Sequence, residues 1–465
     1  VYNIESVSID DLLADNQIEV VLNLTTPQAH YEVTKKTLLA GKHSYCEKPL
    51  STKFENGQEL VNLAKEKNLY LGNGPDTFLG AGSQKSRQLI DSGLVGDIKL
   101  GNAIFAFPGV QSYHPDPEPW FQKDGGGPVM DMGTYYLTVL VNLLGPAKQV
   151  QGCELTVSEF REIGIGPKKG KKIKVETPTT YMATIQFQNG ALIQITLSFD
   201  VINHQRNHIE LYGTKGSIIV PDPNMFGGSA FISVSTGGKW GEHQTGNMHL
   251  GRINIKNHSG RLNESPTNAN YRGVGLSEMI YCVENKKKHR CNGELALHVL
   301  DIIESTMRAA ISKTPKKIRT TCKKPEFFPE EKIKKFMIEN FPEANVTYVK
   351  NPNYSSTNAI YSLWLTRHLI DDDILTMHGD MVFDKKLLGT LLNDTNPNCA
   401  LVNNKIGPPK KDFKGKIEND IVKLISVDIS GENTFFLAPI YKFSKNGFNL
   451  WLDEIRKFVE DVNRS

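Results

Sequence analysis

Between residues 7 and 72 the chain alternates, over short links, between two kinds of segment, and this alternation limits the fold more than any other feature. SIDDLLAD reads as a short helix with Ser8 and Asp10 near its start, where an oxygen can accept the unpaired amides of the first turn. IEVVLNLT is a continuous apolar run, as expected of a strand buried on both faces. QAHYEVTKKTLLAG is an amphipathic helix closed by Gly41. HSYCEKPLS is a second strand, FENGQELVNLAKEKN a further helix and LYLGNG a third strand. Strands separated by single helices pair in parallel and are wound by right-handed crossovers. A ligand on such an open sheet lies beyond the carboxyl ends of the strands.

From about residue 98 the pattern lengthens. IKLGNAIFAF, QVQGCELTVSEF, TTYMATIQFQNGALIQITLSF and HIELYGTKGSIIVPD read as antiparallel strands, and Asn189-Gly190 inside the third marks a hairpin. A large open sheet therefore follows the parallel one. GELALHVLDIIESTMRAAIS predicts a closing helix over 293–312, and the Lys- and Pro-rich stretch after it reads as a linker. Beyond residue 330 helices and strands alternate again, through NAIYSLWLTRHLI, DILTMHGD and DKKLLGTLLND. Three parts follow: 1–75, 76–325 and 326–465.

Composition narrows the partners. A net charge of +3 with 23% charged residues gives no footprint for nucleic acid or an acidic membrane. The apolar run LTVLVNLLG is far shorter than the ~20 residues a membrane-spanning helix needs. The six cysteines are scattered, without a Cys-x-x-Cys, which points to free buried thiols in a reducing cytoplasm rather than to zinc or a redox pair. GIGPKKGKK (164–172) lacks the spacing of a phosphate loop and opens no apolar helix, so it reads as a solvated basic hairpin loop.

Two stretches carry chemistry. Glu47-Lys48-Pro49 stands where the second strand ends, and the proline restricts the backbone there. Lys48 is thereby aimed at the crevice, where it could donate to a substrate hydroxyl and favour an adjacent anion. A surface lysine at a turn has the same local sequence. The second stretch is GGGPVMDMGTYYLTVLVNLLGP (125–146), a glycine loop and then a helix with Pro128 in its first turn. Asp131 and Tyr135 are four apart, hence on one face of that helix, and a tyrosine beside a carboxylate suits proton transfer. A buried tyrosine with a capping aspartate reads the same way.

Together these stretches resemble the glucose–fructose oxidoreductase, inositol dehydrogenase and rhizopine catabolism (Gfo/Idh/MocA) family over roughly residues 1–325. The resemblance rests on NLTTPQAHYEVTKKTLLAGKHSYCEKPL, LIDSGLVGDI, EPWF with GGGPVMDMGTYY, and GELALHVLDIIESTMRAA. It implies an oxidoreductase using NAD or NADP on a sugar, cyclitol or related polyol. Its fold would be a partial Rossmann-type parallel sheet, then an α+β domain with a large, mostly antiparallel open sheet. Thr25, Thr26, Pro27 and His30 would line the cofactor, with Glu47 and Lys48 forming the Glu-Lys-Pro signature. Asp131 would orient the substrate. Tyr135, where many members carry histidine, would exchange the hydroxyl proton with Lys48 favouring its anion. His114 and Trp120 would wall the substrate, a surface loop being the other reading. The open sheet would join subunits into a homo-oligomer.

No G-x-G-x-x-G precedes Lys48, so the resemblance also implies a truncated dinucleotide domain. The segment 326–465 resembles sugar-phosphate and phosphocholine nucleotidyltransferases as a second, partial α/β unit. There Asp380 would match a magnesium-binding aspartate, or be a strand-end residue without metal. The other functions left open are thus nucleotidyl transfer through this segment and a non-catalytic oligomeric protein.

Overall fold

The computed structural model describes residues 6–246, 248, 250–252, 255–256, 267–327, 349, 359–377, 385–403, 414–426 and 428–460. The chain divides into two compact units, Val1–Lys332 and Ile333–Ser465.

The first unit opens with helix α1 (Ile9–Ala14), capped by Ser8, whose Oγ accepts from the Asp11 amide at 3.1 Å. Strands β1 (Val20–Asn23), β2 (His43–Cys46) and β3 (Leu71–Asn73) pair in parallel in the order of the sequence. Helices α2 (Pro27–Leu39) and α3 (Phe54–Glu66) are the two crossovers. The register sets Asn23, Cys46 and Asn73 side by side, so all three strands end on one line.

Helix α4 (Ala81–Asp91) leads into strand β4 (Ile98–Ala106). The stretch after the glycines forms two helices, α5 (Pro128–Asp131) and α6 (Gly133–Leu144), rather than the single one predicted. The second sheet is built mainly from β5 (Ala147–Leu155), β8 (Thr180–Phe187), β9 (Leu192–Ser198), β10 (Ile209–Gly213), β11 (Ser217–Val220), β12 (Ala230–Ser233) and β13 (Gly241–His243). With β16 (Lys316–Lys317) its order is β13-β12-β11-β10-β4-β9-β8-β5-β16, and only β4 and β9 run parallel. The predicted hairpin turn lies between β8 and β9, with Gly190 at φ +90°. The basic loop 164–172 joins a separate small hairpin of β6 (Phe160–Glu162) and β7 (Lys172–Lys174), and Lys168 pairs with Asp116 there. A short pair, β14 (Ile255–Lys256) and β15 (Thr267–Asn268), precedes α7 (Val274–Glu284) and α8 (Gly293–Ser312).

Helix α6 is mostly apolar, and its twelve residues are buried. It packs on α8, which also touches β5, α3 and β3 and so binds the two sheets together. Gly57 of α3 permits that approach, since a Cβ there would stand 2.9 Å from Leu300 Cδ2. The expected linker after α8 is instead a strap. β16 adds to the edge of the large sheet, and Ile318 N–H reaches Lys148 O. Arg319 grips Asp301 and Glu304, and Lys324 pairs with Asp91. Charge-assisted bonds outweigh the lysine- and proline-rich composition that suggested free chain. Among the cysteines, Cys46, Cys282 and Cys291 are buried as expected, but Cys322 and Cys399 are half-buried and Cys153 is exposed.

In the second unit, helices Ala359–Thr366, Lys385–Leu392 and Lys445–Glu460 accompany β17 (Ile374–Met377), β18 (Cys399–Asn403), β19 (Lys414–Glu418), β20 (Ile421–Ser426) and β21 (Thr434–Phe443). Every pairing among its described strands is antiparallel, with β21 bonded to β17, β18 and β19. The alternation read from the sequence is here an α+β arrangement, not a wound parallel sheet. Among the described residues of the chain no helix is long and apolar enough to cross a membrane.

Candidate active site

The site begins where the three parallel strands end. Asn23 is 2% exposed, and it closes the loop after β1 with both ends of its amide. Its Nδ2 donates to His30 O (3.2 Å) and Thr34 Oγ1 (3.0 Å), and its Oδ1 accepts from Thr25 N and Oγ1. Asn73, at the end of β3, donates to Cys46 O (2.9 Å) and Glu47 O (3.0 Å). The backbone entering Lys48 is therefore held from a neighbouring strand. Glu47 folds back, its Oε2 accepting the Lys48 amide at 3.0 Å. Both asparagines escaped the sequence reading. The available signal was a polar residue closing an apolar strand, in VVLN and in LGN.

Lys48 Nζ meets Asp131 Oδ1 at 2.6 Å and Asp131 O at 2.8 Å, and lies 5.1 Å from the centre of the Tyr135 ring. The side chains of Lys48 and Asp131 are 16% and 17% exposed. The three predicted catalytic residues thus converge, but not through one helix face. Helix α5 stops at Asp131, and the Tyr135 amide turns to Met132 O (3.1 Å). The Asp131 carbonyl loses its expected i+4 partner and accepts Lys48 and Thr134 Oγ1 (2.9 Å) instead. Burial opposes the charge on Lys48, yet Asp131 first, then Tyr135 and Glu47, outweigh it and raise its pKa above the ordinary lysine value. Lys48 is a permanent cation here, with one of its three N–H groups still uncommitted among the described residues.

The glycine loop lies against the start of α2. Gln28 Nε2 donates to Asp124 O at 2.9 Å, and a Cβ on Gly125 would come within 2.8 Å of Thr52 Cγ2. A Cβ on Gly126 would meet Gln122 O at 2.3 Å. Gly127 N donates to Trp120 O (2.8 Å), and the Trp120 ring rests on His114 with centroids 4.9 Å apart. His114 and Trp120 are therefore paired with each other, and the Trp120 backbone is tied to the loop. Thr25 and Thr26 are exposed and Pro27 half-buried at the first turn of α2, where Thr26 makes no side-chain cap. His30 stands apart from them. It is 1% exposed, and its ring nitrogens face Pro49 O (2.6 Å) and Thr25 O (3.0 Å). It staples the loop after β1 to the Glu-Lys-Pro turn, a scaffold role rather than a cofactor surface. Burial pushes the neighbouring Cys46 thiol up to about 12, so it stays protonated.

Two family models match in chain order: the oxidoreductase family NAD-binding Rossmann fold over residues 2–74, and the GFO/IDH/MocA C-terminal domain over 83–219. Residues 2–219 of the first unit are thus similar to the Gfo/Idh/MocA oxidoreductase family. Among curated relatives, the chain is 28% identical over 218 residues to 1,5-anhydro-D-fructose reductase of Ensifer adhaerens (46% of this chain, 60% of that protein). It is 30% identical over 212 residues to dTDP-3,4-didehydro-2,6-dideoxy-alpha-D-glucose 3-reductase of Saccharopolyspora spinosa (45% and 57%). The chain thus spans little more than half the length of these relatives. Its fold is similar to that of levoglucosan dehydrogenase in its apo form, with a TM-score of 0.56 and 20% identity, over 68% of this chain and 84% of the other.

The Gfo/Idh/MocA models end before the second unit, and Asp380 lies outside the described residues. Among those residues no three histidine, cysteine or carboxylate side chains gather as a metal site.

Proposed function

We propose that the chain, through its first unit, transfers hydride between NAD or NADP and a sugar, cyclitol or related polyol. The observation that carries this reading is the fixed Lys48 ammonium, held by Asp131 over Tyr135 at the carboxyl end of a parallel sheet. The names of the two relatives, both reductases of sugar derivatives, support the substrate class. The exposed loop of Thr25, Thr26 and Pro27 together with Glu47 and Lys48 fits the nicotinamide end of such a cofactor. It offers hydroxyls and a helix start at the strand ends, where ligands of open α/β sheets bind. The nicotinamide, when bound, supplies or accepts the hydride.

The protein's own part is protonic and electrostatic. The uncommitted N–H of Lys48 donates to the reacting oxygen and stabilises negative charge as the proton moves. Tyr135 takes that proton in oxidation and returns it in reduction. Asp131 keeps Lys48 charged and aimed, so it acts chiefly as a positioning residue. His114 and Trp120 form the outer wall of the substrate side. Asn73 and His30 hold the turn that carries Lys48.

The outer face of the large sheet serves self-association in this reading. Leu100 and Leu192 are cross-strand partners there, 54% and 41% exposed, and Met182, further along β8, is 43% exposed. Leu192→Glu should dissociate the oligomer in light scattering, and an unchanged mass would reject that face.

Titration of the purified chain with NADH and NADPH, followed by nicotinamide fluorescence, tests the main reading. Saturable binding should be seen, and a sugar and polyol screen should then yield turnover that Lys48→Ala and Tyr135→Phe each lower by roughly 10²–10⁴-fold. Absence of binding by the folded chain up to millimolar cofactor would overturn it.

A further inference from the structure

A well-formed cavity lies away from the Lys48 crevice. It occupies about 490 Å³ between the end of α3, the start of β3 and the turn from α7 into α8. Tyr70 and Leu71 line it, and they open β3, whereas Lys48 follows the end of β2. The two places therefore lie at opposite ends of the same parallel sheet. A volume of this size is typical of small-molecule sites, which fall at ~300–1,000 Å³.

Its lining has two characters. The inner wall is apolar and aromatic, from Val61, Leu69 and Tyr70. Tyr70 is fixed at both ends: its OH donates to Cys282 O (3.1 Å), and its ring stands 5.6 Å from that of the buried His289. The rim is cationic, from Lys65 and the run Lys286-Lys287-Lys288. Lys65 is already neutralised by Glu294 at 2.6 Å. Lys286 and Lys288 are exposed, and among the described residues their ammonium groups make no ion pair or hydrogen bond. Lys286 is held in the left-handed region at φ +52°, which strains a residue with a side chain and is sustained only by the surrounding turn. Helix α8, twenty residues long, also starts at this cavity, through Asn292 and Gly293.

We propose that this cavity binds a phosphate monoester with a flat apolar body, the ring lying on Tyr70 and the phosphate between Lys286 and Lys288. The charge count selects the dianion. Two uncommitted ammonium groups match a phosphate monoester, and lysine serves phosphate as a mobile point charge. The positive end of the α8 dipole adds to the same field. The apolar wall explains why a bare anion is not sufficient. Histidine takes no part in holding the charge: burial lowers the pKa of His289 to about 4, so its ring is neutral at neutral pH.

The test uses the full chain and 1-naphthyl phosphate in isothermal titration calorimetry, with inorganic phosphate and 1-naphthol as its two halves. Saturable binding of the ester, tighter than either half, is expected. Lys286→Glu combined with Lys288→Glu should weaken it by about tenfold or more, the equivalent of ~1.4 kcal/mol. Both lysines are exposed, and unchanged circular dichroism would certify the fold of the variant. Lys48→Ala should leave the ester affinity unchanged, which separates this site from the proposed cofactor crevice. Three results would each overturn the proposal: no binding of the ester, equal binding of 1-naphthol, or full affinity in the double glutamate variant.

Discussion

Two ion pairs in the first unit look alike in sequence terms and differ in kind. Asp301, on α8, is 0% exposed and its carboxylate is saturated. It accepts from Arg319 N (2.6 Å) and Nε (2.9 Å), from Thr320 N (2.8 Å) and Oγ1 (3.0 Å), and from Ser305 Oγ (3.2 Å). The Arg319 guanidinium also lies 3.6 Å from the centre of the Phe54 ring and so pins the strap to α3. At the other pair, Asp131 meets Lys48 with one oxygen, its second oxygen accepts nothing among the described residues, and Lys48 keeps a free donor. The first pair has no capacity left for a ligand and is a fastener. The second is less fully bonded and is left incomplete on the side that faces the crevice. An ion pair with unspent donors at a strand end is a site, whereas one that satisfies every lone pair is architecture.

The comparison can be broken by experiment, starting with the largest effect. Asp301→Ala strands the Arg319 and Thr320 amides and takes one carboxylate from the partly exposed Arg319 guanidinium, and should cost ~2–4 kcal/mol in urea unfolding. Asp131→Ala should cost clearly less. Equal losses would mean that the Lys48 pair is a fastener too. Next, Lys48→Arg should fail to restore the turnover lost in Lys48→Ala, because a planar fork cannot reproduce one ammonium that serves Asp131 Oδ1, Asp131 O and substrate together. Full activity in the arginine variant would show that charge alone suffices.

Acid should separate the two places further. His298 Nε2 accepts the Ala147 amide (2.9 Å), and its Nδ1 meets Thr320 Oγ1, which itself donates to Asp301. Burial lowers the pKa of His298, like that of His289, to about 4. The unfolded chain takes up those protons near the ordinary value of about 6.5 and so holds more protons than the fold in between. Stability should therefore rise from pH 4 to 6.5 and be lost as the pH falls through that window, by up to ~1.4 kcal/mol per pH unit for each histidine. Lys48 behaves oppositely. Its raised pKa means that its contribution is complete below the ordinary lysine value and fades only in strong alkali. Denaturant midpoints measured across pH 4–7 should show a slope that His298→Gln reduces and Lys48→Ala does not.

The smallest effect concerns positioning. Asn73→Ala removes two donors from the backbone ahead of Lys48 and should cost ~1–2 kcal/mol of stability. Turnover should fall while KM for the sugar holds. A change in KM alone would place Asn73 in substrate binding instead.

Much of this was legible in the residues. Apolar runs broken by single amphipathic helices can bury themselves in few ways, and the parallel pairing of β1, β2 and β3 followed from them. The long alternating strands and the Asn189-Gly190 turn gave the large sheet, and one apolar helix over 293–312 was bounded by Asn292 and Lys313 as its periodicity required. Lys48, Asp131 and Tyr135 could be singled out because a charged or phenolic group beside glycine and proline at a strand or helix end has few structural reasons to be there.

Other features were not legible, for one physical reason: they depend on which distant backbone groups remain unpaired. The helix break at Met132 withholds an amide from Asp131 O, and only the arrival of Lys48 from 83 positions away makes that carbonyl useful. His30 carries the residue type of a ligand, yet Pro49 O and Thr25 O consume both nitrogens. The lysine- and proline-rich stretch after α8 has the composition of a free linker, yet Arg319 finds a carboxylate that the core has already desolvated. Local sequence determined where strands, helices and turns stand and which side chains were available for chemistry. The tertiary structure decided which of them kept an unsatisfied donor or acceptor, because burial and long-range hydrogen bonding spend most of that capacity before any ligand arrives.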